Sequence, residues 1–163
     1  MAYVRGNQHE QAKALVLDML NRHPDDPAIL TLSGDVFVAS GNLTSARNNY
    51  TLALKKEPGF IPAAMALGRL EEQQGNFGKA AAQYQVIAAS SPGATEPVLA
   101  LARLALLDGN VEEVLKYAKQ LQQIRPDYAA GYEFEGIALM SQKSYKKSSR
   151  SFRMAWERGP SSN

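Results

Sequence analysis

The chain has two histidines, His9 and His23, and they stand 14 residues apart. A metal pair on one helical face needs a spacing of about four residues, and neither histidine has a cysteine to join it. The sequence contains no cysteine at all. That removes a disulfide framework, a thiolate nucleophile and a cysteine-bound zinc. No nucleophile motif accompanies the histidines, and His23 reads better as a surface residue or a favourable partner for a helix C-terminus. The glycines do not cluster into a phosphate-cradling loop. Nothing here predicts an enzyme, a metal site or a cofactor. Among the residues suited to recognition are two arginines. Arg69 and Arg103 lie 34 residues apart, and the forked donors of two guanidinium groups could grip a carboxylate or a peptide backbone. The alternative is that each pairs with a nearby acid such as Glu72 or Glu96.

The interval of 34 governs much of the chain. Pro24, Pro58, Pro92, Pro126 and Pro160 follow it, and they are five of the eight prolines. Gly41, Gly75 and Gly109 keep the same period, each followed by an asparagine (Asn42, Asn76, Asn110), with Lys143 breaking the series. Gly34, Gly68, Ala102 and Gly136 form another series, as do Ala12, Ala46, Ala80, Val114 and Ser148. A further one is Val16, Tyr50, Tyr84, Ala118 and Phe152. A repeat of this length sets the architecture.

Each series has a physical task. The Gly41 series suits a helix end that needs positive φ, and the asparagines after it suit N-caps of the next helix. Glycine inside a helix costs about 1 kcal/mol relative to alanine, so the Gly34 series predicts two helices in very close approach. The Ala12 series is expected on the facing side of that contact, and the aromatic series between successive hairpins. Each proline is expected to end the second helix of a unit. The apolar spacing between these marks is helical, as in Leu30, Val36 and Phe37, then Leu43, Ala46, Tyr50 and Ala53, and no segment alternates like a strand.

These residues resemble the tetratricopeptide repeat, a helix–turn–helix unit of about 34 residues. The best unit matches at Leu30, Gly34, Phe37, Ala46, Tyr50, Ala53 and Pro58. The next matches at Leu67, Gly68, Phe77, Ala80, Tyr84 and Pro92, and the last at Tyr132, Gly136, Tyr145, Phe152, Ala155 and Pro160. The third keeps Leu101, Ala102, Val111 and Pro126 but departs at Val114 and Ala118. The family's early tryptophan is replaced by Leu30, Ala64, Val98 and Tyr132, and Trp156 lies elsewhere. Glu71 and Glu135 fall at usually apolar positions, which predicts an exposed edge or a local change of register.

The resemblance implies an all-α fold, a right-handed α-solenoid of antiparallel helix hairpins with about nine helices. It divides one array over residues 1–163 into a partial repeat at 1–26 and repeats at 27–60, 61–94, 95–128 and 129–163. In the partial repeat, Gly6 to Arg22 reads as a second helix, with Tyr3 to Arg5 as the remnant of a first. The chain then reads as an excerpt of a longer array. Leu15, Leu17, Met19 and Leu20 would lack a neighbour, which predicts weak self-association through the array ends.

A repeat array of this kind presents an extended concave surface, lined in the family by the first helix of each unit. The inward positions here are Thr31, Asp35 and Val38; Met65, Arg69, Glu72 and Gln73; Glu96, Leu99, Arg103 and Leu106; and Glu133, Ile137 and Met140. The apolar members suit an adaptable peptide groove, or else point into the core. The family's lysine and asparagine clamp for chaperone tails is absent, since its places hold Thr31, Asp35, Ala66, Glu96 and Ala100. The resemblance therefore implies a non-catalytic scaffold that binds a protein or peptide. The alternative is a structural spacer or assembly platform within a larger bacterial envelope, secretion or polysaccharide-export protein.

Charge adds little to this. A net charge of +2 predicts no general affinity for nucleic acid. The last helix is basic, with Lys143, Lys146, Lys147, Arg150, Arg153 and Arg158 opposed by Glu157, which reads first as a solvated outer face. No stretch of about 20 apolar residues is present to span a bilayer. The start of the chain has no signal-peptide core, and the compartment, cytoplasm or bacterial envelope, stays open.

Overall fold

The computed structural model describes the backbone of residues 2–159 and the side chains of residues 10–159. Among the described residues every regular element is an α-helix: α1 (Ala2–Arg22), α2 (Pro27–Ala39), α3 (Leu43–Lys56), α4 (Ile61–Gln73), α5 (Phe77–Ser90), α6 (Thr95–Leu107), α7 (Val111–Ile124), α8 (Ala129–Ser141) and α9 (Tyr145–Arg158). Residues 3–5 lie in the first turn of α1 and are not a separate helix. The chain forms two compact units, residues 1–83 and 84–163, with the division inside α5.

Periodic residues set the helix ends. Pro58 and Pro126 lie two residues beyond α3 and α7. The residues before them, Glu57 and Arg125, are extended at φ/ψ of −138/94 and −139/91, as a following proline requires. Pro160 lies outside the described residues. The turns after α2, α4, α6 and α8 share one hydrogen-bond pattern. Asn42 N–H donates to Phe37 O at 2.8 Å, Asn76 to Glu71 O at 2.9 Å, Asn110 to Ala105 O at 2.9 Å and Ser144 to Leu139 O at 2.9 Å. This Schellman closure needs a left-handed residue. Gly41, Gly75 and Gly109 supply it at φ of 79, 75 and 71°, whereas Lys143 adopts φ 58° with a side chain attached. Asn42 Oδ1 then caps α3 by accepting from Ser45 N–H at 3.1 Å, and Asn110 Oδ1 caps α7 by accepting from Glu113 N–H at 3.2 Å. Asn76 directs its amide to Glu71 Oε2 at 2.9 Å. Ser144 makes no side-chain cap.

In unit 1, α1 packs on α2, α2 on α3, and α4 on both α2 and α3. Leu30, Ala53 and Ala63 form one buried cluster, joined by Leu20, Leu54 and Phe60. Leu20 packs on this cluster, while Leu15 and Leu17 are exposed. A second cluster joins Ala46, Tyr50, Ala66, Leu67 and Leu70, flanked by Phe37, Val38 and Leu43.

Gly34 explains how Tyr50 enters that cluster. A Cβ at residue 34 would lie 2.3 Å from the Tyr50 ring. The glycine accordingly makes room for the aromatic ring of its own hairpin, and the expected partner, the Ala12 series, is secondary. Unit 2 repeats the device at Gly136, whose Cβ would lie 2.7 Å from the Phe152 ring. Ser148 of the Ala12 series also meets this glycine, through Oγ–H donating to Gly136 O at 2.8 Å. The third repeat changes both partners: Ala102 and Ala118 stand at the equivalent positions and are fully buried. Unit 2 otherwise buries Val98, Leu101, Val114, Tyr117 and Leu121, with α7 against α6 and α8, and α8 against α9.

Candidate functional site

The predicted inward residues divide by burial. Thr31 is buried, and its hydroxyl donates to Pro27 O at 2.7 Å. Met65 is buried as well. Both belong to the packing of the first helices and present little accessible surface. Asp35, Arg69, Gln73, Glu96, Arg103, Leu106, Glu133 and Met140 are exposed, and Val38, Glu72, Leu99 and Ile137 are half-buried.

Unit 1 gathers four of these residues at one place. Asp35 and Val38 from α2 and Arg69 and Gln73 from α4 line a small cavity of about 120 Å³ with Tyr50, Ala66 and Leu70. The Tyr50 hydroxyl donates to Asp35 Oδ1 at 2.7 Å. Burial, then that hydrogen bond and the charge of Asp35, raise the Tyr50 pKa well above the ordinary phenol value, while Arg69 pulls it the other way. The phenol is therefore a fixed donor and takes no part in proton transfer near neutral pH. Among the described residues Arg69 forms no ion pair. Its guanidinium keeps its donors available beside a carboxylate whose own lone pairs are partly taken. The site offers forked donors, amide groups of Gln73 and a short apolar wall of Val38 and Leu70. That set suits a peptide carbonyl or carboxylate next to a small apolar side chain.

In unit 2 the predicted residues keep helical spacing. Glu96, Leu99, Arg103 and Leu106 form one stripe of α6, and Glu133, Ile137 and Met140 one stripe of α8. Among the described residues no group of three or more metal-ligating side chains converges. His23 is exposed, and the side chain of His9 lies outside the described residues.

Two features escaped the reading of the sequence. Glu71, expected at an edge or a shifted register, is buried, and its carboxylate accepts from Arg47 and from Asn76. Arg47 also reaches Gln74. Glu135 is half-buried and accepts from Gln122 Nε2 at 3.3 Å and Ser151 Oγ at 2.9 Å. A hydrogen-bonding side chain one helix away was the available signal in both cases, but helical spacing alone does not pair residues 24 apart.

The tetratricopeptide repeat family model matches residues 31–95. Residues 31–95 are tetratricopeptide repeats. The fold likeness runs further than that segment. A crystal structure of MamA superposes with a TM-score of 0.81 at 15% identity, covering 94% of this chain and 90% of that one. MamA from Desulfovibrio magneticus RS-1 gives 0.79 at 16% identity, covering 98% and 90%. Cut9, in the APC/C hetero-tetramer Cut9–Hcn1, gives 0.73 at 16% identity, covering 94% of this chain and 29% of that one. Identities this low establish the tetratricopeptide solenoid fold and nothing finer. A search of curated proteins finds no match. No described helix is long and apolar enough to cross a membrane.

Proposed function

We propose that this tetratricopeptide chain is a non-catalytic scaffold that holds a segment of a partner protein against its first helices, with Arg69 as the anchor in unit 1. The observation that carries this reading is the cavity shared by Asp35, Val38, Tyr50, Arg69 and Gln73. It joins a cation without an ion pair to a fixed hydroxyl and an apolar wall, the mixture that recognises backbone and side chain together. The first-helix stripe of unit 2, with Leu99, Leu106, Ile137 and Met140, offers apolar contacts to a partner. Repeat folds of this kind serve as binding surfaces, and Cut9 itself is seen in complex with Hcn1.

The test is a peptide array probed with the purified chain, followed by binding titration of the peptides it retains. Arg69→Glu is expected to weaken retained peptides by about tenfold, the scale of one lost charged contact turned repulsive. An array profile unchanged by Arg69→Glu combined with Arg103→Glu would overturn the proposed face.

A further inference from the structure

A second surface lies in unit 2, away from the predicted inward stripe. A groove of about 490 Å³ runs between α7 and α9 over α8. Its α8 wall is Tyr132, Glu135 and Leu139. At about 100° per residue, Glu135 sits nearly opposite Ile137 on that helix. The groove therefore opens on the other side of α8 from Glu133, Ile137 and Met140.

The floor is apolar, built by Leu115, Leu139 and Met154, and three cations stand along it: Lys119 from α7 and Lys147 and Arg150 from α9. None of the three forms an ion pair among the described residues. The one carboxylate in the groove, Glu135, is already engaged by Gln122 and Ser151. Tyr132 is held as a rigid wall, with its hydroxyl donating to Pro126 O at 3.0 Å and the Arg158 guanidinium 4.4 Å from its ring. Two repeats earlier, the positions of Lys119, Lys147 and Arg150 hold Thr51, Lys79 and Ala82. Only the Lys147 position is also a cation there, as Lys79, so the full set of three belongs to this groove and not to the repeat.

We infer that this groove docks an acidic, amphipathic protein segment, whose leucine-like side chains lie on Leu115, Leu139 and Met154 and whose carboxylates meet Lys119, Lys147 and Arg150. Charge complementarity selects the acid, and the volume selects a segment of a few side chains. A nucleic acid would leave the apolar floor unused. A lipid surface is flat and would not enter a cleft between three helices. An acidic segment matches both features.

The probe is a 12-residue peptide carrying four glutamates and two leucines, titrated into the ¹⁵N-labelled chain. The expected result is amide shifts confined to α7, α8 and α9, with binding that weakens as salt rises. Lys119→Glu with Arg150→Glu, both at exposed positions, is expected to reduce affinity at least about tenfold. Arg69→Glu is expected to leave it unchanged, which separates this groove from the unit 1 site. Replacing both leucines of the peptide with serine should also weaken it. Equal binding of the serine peptide, stronger binding of a single-stranded oligonucleotide or of phosphatidylserine vesicles, or shifts centred outside α7 to α9 would each overturn the proposal.

Discussion

At one pair of equivalent positions the two units do opposite things. In unit 1, Arg47 of α3 crosses to the buried Glu71 of α4, and Gln74 and Asn76 complete the network. In unit 2 the same two positions, two repeats later, hold Leu115 and Leu139. There the apolar pair lines an open groove, and the cations sit at its rim. The backbone plan is shared, so the difference is one of side-chain chemistry alone. An ion pair in the packing fixes one helix on another, at a desolvation cost that only a complete hydrogen-bond set offsets. An apolar pair packs without that constraint and leaves a surface that a partner can cover. At this pair of positions unit 1 buries its charges against each other, and unit 2 leaves an apolar surface.

The largest expected effect breaks the internal pair. Arg47→Ala leaves the Glu71 carboxylate buried with Asn76 as its remaining donor, and urea unfolding should show a loss of about 2–3 kcal/mol. Arg47→Leu with Glu71→Leu copies unit 2, and it should return stability to within about 1 kcal/mol of the parent. If the double variant is as unstable as the single one, the two positions are not interchangeable solutions.

A smaller effect compares the ring seats. Gly34→Ala drives a methyl into Tyr50, which is buried and tied to Asp35, and should cost about 1–3 kcal/mol in thermal or urea unfolding. Gly136→Ala should cost less, because Phe152 is 36% exposed and its ring can swing toward solvent. Equal losses at the two sites would show that exposure of the ring does not relieve the clash.

The caps give the next comparison. Asn110→Ala removes a real N-cap and should cost about 1 kcal/mol, whereas Ser144→Ala removes none and should change stability by a few tenths at most. The last variant gains stability. Lys143→Gly relieves the left-handed backbone at the one turn of the four that lacks glycine, for about 0.5–1 kcal/mol. A loss on this substitution would mean that Lys143 makes up its strain through contacts of its side chain.

The sequence by itself determined most of the helices, their ends and the solenoid fold they build. Period, proline and glycine act through local backbone sterics, so Gly41, Pro58 and Asn42 can be read without knowing the fold. Its resemblance to the tetratricopeptide repeat also nominated Asp35, Arg69 and Gln73, as positions that face inward in that family. Tertiary structure alone decided which of the nominated residues reach a surface. Thr31 and Met65 share the phase of Asp35 and Arg69 yet are buried, since burial depends on what the neighbouring helix places opposite. It also decided the partnerships of Glu71 with Arg47, Gly34 with Tyr50, and Lys119 with Lys147 and Arg150. Each joins residues on different helices. Their energies come from desolvation and contact across that gap, and no period along the chain records them.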